Sequence, residues 1–163
     1  MRAPFGSYSG SRTTSAGTCM PSTSTSTTVP GPHATGSRAW WCAWQTSKDG
    51  VPRVDTHPLT VYQQGELLQL DAERAPAAGS YTWRGELRLW DNEALMGWYR
   101  STEGAVRSKG TMYLALHPHG EHAWGRWVGM SYDGVVVTGW GAIARTEEFA
   151  GKVVQDLINA DES

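Results

Sequence analysis

One short pattern recurs along this chain: an apolar residue, any residue, glycine, any residue, then an apolar or aromatic residue. It stands as Trp83-x-Gly85-x-Leu87, Leu95-x-Gly97-x-Tyr99 and Ala123-x-Gly125-x-Trp127, with Val137-x-Gly139-x-Gly141 as a looser copy. A period of two is the mark of a strand with one buried face. Glycine inside a strand gives up packing and backbone entropy, so its return at the same place in successive strands needs a cause. Three causes are open: strong coiling of a small barrel, close approach of a bulky neighbour, or space kept for a ligand.

From Ala39 onward the alternation is broken by turn residues every 8 to 14 positions, the spacing of a sandwich or barrel. The spacing predicts strands over 39–46, 59–63, 67–72, 81–90, 94–101, 111–117, 123–130 and 135–145. Tight turns at Asp91-Asn92 and Asp133-Gly134 suit hairpins, because these residues tolerate positive φ. Short connections make neighbours antiparallel, and eight such strands can close and abolish their edges. The expected fold is therefore all-β: an eight-stranded antiparallel meander barrel over residues 38–145. A helix is expected over 147–160, with Phe149, Val153, Val154 and Leu157 on one face, inside a C-terminal segment of 146–163.

Residues 1–37 are rich in Ser, Thr, Gly and Pro, as in the run from Ser22 to Thr28, and all nine tryptophans lie between Trp40 and Trp140. The first segment cannot offset its ordering entropy by burial and is expected to be a disordered tail. A net charge of −2 and a pI near 6.2 argue against nucleic-acid binding, which needs a concentrated basic footprint. No apolar run reaches signal-peptide or membrane-span length. Cys19 and Cys42 read as free thiols of a reducing compartment, so a cytoplasmic setting without membrane contact is expected.

The face continuing the glycine pattern holds Tyr81, Leu89, Met112, Leu114, Leu116 and Ile143 and no charge, so it is expected to point inward. The opposite face carries Arg84, Glu86, Arg88, Arg100 and Arg126, interleaved with Trp90, Trp98, Tyr113, Trp124 and Trp140. Outward tryptophans ask for cover by the helix, a second copy or a partner, or for arginine stacked on their rings.

Motifs that would carry chemistry are weak. His117, His119 and His122 flank a hairpin turn, and the sequence offers no fourth ligand for a tetrahedral metal site. The loop over 104–110 contains Arg107 and Lys109, but it leads into a strand and lacks the ending of a phosphate loop. No Gly-x-Ser-x-Gly elbow is present. Cys42 sits among tryptophans, a setting that raises a thiol pKa. No catalytic residue, metal or cofactor is therefore expected, and the chain does not read as an enzyme.

The stretch from Gly110-Thr111-Met112-Tyr113-Leu114 through Gly125-Arg126-Trp127-Val128-Gly129 to Val137-Thr138-Gly139-Trp140 resembles a bacterial eight-stranded, calycin-like (lipocalin-like) barrel domain. The strand around Trp41 to Gln45 and Leu95-x-Gly97-x-Tyr99 extend the likeness over about 39–145. Such domains are similar to the C-terminal part of some actinobacterial XRE-type regulators and to the barrel of cyclic-nucleotide anti-phage effectors. The resemblance implies a sensor role. Residues 1–37 supply no helix-turn-helix, and the chain has no pair of membrane helices, so DNA binding and membrane disruption are not implied.

The expectation is a non-catalytic barrel sensing a small molecule, nucleotide-like or apolar. Trp44, Trp83, Tyr99, Met112 and Trp127 would line its lumen, with Arg107 and Lys109 at one mouth. The alternative is a scaffold with a packed lumen, acting through an outer face of Trp98, Arg100, Trp124, Arg126 and Trp140 toward a second copy or a regulatory protein.

Overall fold

A computed structural model describes residues 38–48, 50–75, 79–130 and 134–163. The expected tail over 1–37, with Cys19, lies outside the described residues, as does Asp133. Eight strands follow in chain order: β1 (Arg38–Lys48), β2 (Val51–Gln64), β3 (Leu67–Ala72), β4 (Trp83–Trp90), β5 (Ala94–Ser101), β6 (Lys109–Leu116), β7 (His122–Met130) and β8 (Val136–Ala144). Each pairs antiparallel with the next, and β1 pairs with β8 through Trp41–Trp44 against Gly141–Ala144, closing the barrel. Asp91 and Asn92 both have positive φ (50° and 57°) in the three-residue connection between Trp90 and Ala94, where the Glu93 amide donates to the Trp90 carbonyl at 2.9 Å.

The inward face is the one the pattern assigns. Cys42, Leu59, Leu70, Trp83, Leu87, Leu95, Met112, Leu114, Ala123 and Ile143 form the barrel core. At one end Leu68, Leu87, Leu89, Leu95, Leu114, Leu116 and Ile143 fill the lumen with branched aliphatic groups.

β2 is longer than the sequence suggests. Residues 51–58 pair with β1 alone, since β3 begins its ladder opposite Leu59. Pro52, Asp55 and Pro58 make this stretch resemble a loop. Proline is compatible here because the Pro58 carbonyl points away from β1, accepting from the Glu73 amide at 3.0 Å. Its nitrogen faces the same way and interrupts no β1 bond.

The helix α1 (Glu147–Asp161) starts at Thr146, whose hydroxyl accepts from the Phe149 amide at 3.3 Å, with Glu147 and Glu148 in the first turn. Its buried residues are Ala150, Val154 and Ile158. They pack on Ala43, Ala142 and Ala144, small outward residues of β1 and β8 that let the helix approach. Of the expected face, Val154 is buried and Val153 packs against this cluster, while Phe149 does not. Phe149 is exposed and meets the His122 ring edge-on at 4.9 Å instead.

Candidate functional site

The end of the lumen opposite the leucines is hollow. A cavity of about 310 Å³ is lined by Trp44, Trp83, Tyr99, Met112 and Trp127, with Thr46, Asp55 and His57 on one wall and Tyr81, Arg107 and Ser108 near the mouth. Trp44, Trp83, Tyr99 and Trp127 form an edge-to-face chain, with ring centroids 5.6, 6.1 and 6.4 Å apart in turn.

These rings explain several of the repeated glycines. In the strand register Trp44 lies opposite Gly141, Trp127 opposite Gly139, and Tyr99 opposite both Gly85 and Gly110. A methyl group on Gly141 would fall inside the Trp44 ring, and one on Gly129 would meet the Tyr99 hydroxyl. At Gly97 and Gly125 it would instead collide with the Glu86 and Tyr113 carbonyls of the next strand, the mark of tight coiling. Coiling and bulky neighbours thus account for these glycines, while the cavity lies between the rings.

The mouth is held by a braced loop. Between β5 and β6, Glu103 accepts from the Thr82 amide at 2.8 Å and from Arg74 at 2.6 Å, and both keep its carboxyl below the ordinary value. The Ser101 amide donates to the Ser108 carbonyl at 2.8 Å, closing the loop. Tyr81 and Ser108 share a hydroxyl–hydroxyl bond of 2.5 Å at the rim. Burial pushes the Tyr81 and Tyr99 phenols up, so both stay protonated as possible donors. Arg107 is exposed and has no ion-pair partner among the described residues.

The polar wall comes from the part of β2 that reads as a loop. His57 is 6% exposed. Its Nδ1 lies 2.9 Å from the Glu73 carbonyl, an acceptor, so Nδ1 carries the proton and Nε2 is left as an acceptor. Desolvation lowers the His57 pKa and favours this neutral form, against smaller opposing effects from Glu73 and Asp55. Asp55 Oδ2 accepts from Thr46 and Arg53, both at 2.9 Å. Sequence reasoning missed both residues. The signal was present: Asp55 and His57 continue, at period two, the inward series of Leu59 and Val61.

Of the residues expected in the lumen, Trp44, Trp83, Tyr99, Met112, Trp127 and Arg107 come together around the cavity. Lys109 does not. It is exposed, one residue out of phase with Met112, and lies on the outer face of β6. The expected outer face is divided. Trp124 and Trp140 pack against α1, and Arg126 stacks 3.6 Å from the Trp140 ring and pairs with Asp161. Trp98 remains 39% exposed, with Arg100 5.7 Å over its ring.

His117 and His122 are stacked with centroids 4.5 Å apart, yet no three His, Cys, Asp or Glu side chains among the described residues are grouped to hold a metal. Cys42 is a buried free thiol whose pKa burial drives far upward. No helix among the described residues is long and apolar enough to cross a membrane. No family model, curated protein or solved structure matches the chain.

Proposed function

We propose that this chain is a non-catalytic, small-molecule-sensing barrel, a regulatory domain of the calycin type acting in the cytoplasm. The observation that carries the reading is the division of the lumen. One end is filled with leucine, while the other holds a cavity of about 310 Å³ walled by four aromatic rings with polar groups on one side. That combination of apolar walls and a few placed polar groups is the usual chemistry of a ligand site. Binding would draw on the loop over 102–108, which lies across the mouth, and so shift a partner or oligomer equilibrium.

Tryptophan fluorescence and thermal melting against cyclic dinucleotides, nucleotides, haem and fatty acids test this. Saturable quenching with a rise in melting temperature is expected for at least one class. Silence across the panel, with the fold intact, overturns the reading.

A second reading is favoured by the outer strip of Trp90, Met96, Trp98 and Tyr113, all exposed and away from the residues that α1 covers. In this reading the strip contacts a second copy or a regulatory protein. Trp98→Ser would then change the sedimentation coefficient or partner retention without lowering stability.

A further inference from the structure

We infer that the cavity takes a flat bicyclic nitrogen heterocycle carrying an N–H donor on each of its two rings, as an unsubstituted aminopurine does. The inference rests on the ligand-binding reading and specifies its chemistry.

The first ground is the unmatched acceptors. Asp55 and His57 both line the cavity. Thr46 and Arg53 both bond Oδ2 of Asp55, so Oδ1 keeps its acceptor capacity. His57 is more than nine-tenths buried, and its side chain's one hydrogen bond among the described residues uses Nδ1, so among them Nε2 is an acceptor without a donor. An occupant lacking donors, such as an alkyl chain or a plain aromatic carboxylate, would strip water from both atoms and return nothing. A ligand with N–H groups replaces those waters.

The second ground is spacing. Asp55 and His57 are two residues apart on one strand face, which separates their backbones by about 7 Å. A fused two-ring system spans a similar width and can present one donor to each residue. The third ground is shape and size. A space of about 310 Å³ admits a fused bicycle with room left for bound water. Aromatic walls set edge-to-face suit a flat π-face.

A simple organic cation fits less well. Arg53 already offsets the Asp55 charge, and Arg107 stands at the mouth. The guanidinium instead offers a donor to a ring nitrogen or carbonyl facing outward.

The test is a tryptophan-quenching titration of the full chain with adenine, 9-methyladenine and 2-naphthoate, repeated on Asp55→Asn, His57→Phe and His57→Gln. Adenine is expected to bind saturably. Methylation at N9 or either Asp55→Asn or His57→Phe should weaken it about tenfold or more, while His57→Gln, which restores an acceptor, recovers part of the loss. Unchanged melting curves identify the variants that fold, and His57→Phe covers the case in which Asp55→Asn does not. If 2-naphthoate binds as tightly as adenine and the substitutions change nothing, the donor requirement is wrong while the ligand site stands. If no probe binds, and the wider panel is silent too, both fall.

Discussion

The two ends of the barrel are built from the same eight strands and differ in what fills them. At the closed end Leu87 and Leu114 are fully buried and Leu95 nearly so, and branched aliphatic groups interdigitate from neighbouring strands. At the other end, rings rest on glycines and leave space between them. Leucines collapse onto one another because each has rotamers to adjust and no preferred face. Aromatic rings seated on bare backbone are propped by the sheet itself and cannot relax inward. A barrel can therefore be stabilised at one end and kept hollow at the other by residue type alone.

The contrast is open to direct attack. The largest effect is expected from Leu114→Ala in the packed end, a loss of about 2–5 kcal/mol in urea unfolding. A loss under 1 kcal/mol would mean that this end is not the stabilising one. Enlarging side chains should separate the halves next. Ala123→Leu overpacks the closed end at a cost of about 1–3 kcal/mol, whereas Val137→Phe at the cavity stays within about 0.5 kcal/mol. Equal costs would refute the division.

Acidification sharpens the comparison on the hollow side. The folded His57 pKa is depressed, so the unfolded chain takes up this proton first. Stability should fall as pH drops below the ordinary histidine value of about 6.5 toward the lower folded value. His122, also depressed by desolvation, adds to the loss. Melting curves of His57→Gln should be flatter between pH 7 and 5, and an unchanged slope would remove His57 as the cause. The smallest effect is expected at α1. Asp161→Ala removes an exposed ion pair with Arg126 and a bond from the Trp140 indole at 2.9 Å, for a loss of about 1 kcal/mol or less. The cavity should not respond.

Much of this was legible from residue order. Period-two alternation and positive-φ turn residues gave the strand count, and β3 and β5 have the expected limits. The uncharged glycine face led to the lumen, and with it to Trp44, Trp83, Tyr99, Met112 and Trp127. What failed did so for identifiable reasons. Pro52 and Pro58 hid half of β2, because propensity cannot tell a ladder paired on one side from a loop. Asp55 and His57 went with it, since charged and titratable groups are rarely placed inside a core by pattern. Pattern places Phe149 on the packed helix face beside Val153 and Val154, because it outweighs Ala150 in any hydrophobic average. Contact with Ala43, Ala142 and Ala144 instead favours the smaller residue.

The two prolines of β2 have a consequence beyond local geometry. Among the described residues, 51–58 have no strand beside them on the side away from β1. A bare edge of this kind invites another chain to add itself and propagate. Pro52 and Pro58 are six apart, so both present their ring nitrogens to that edge, leaving only the Val54 and Thr56 amides as donors along it. An incoming strand would find every other rung interrupted at the ends. The seam beside Asp55 and His57 can thus stay unzipped without seeding fibres, and a site can open through the wall of a barrel that otherwise has no edges.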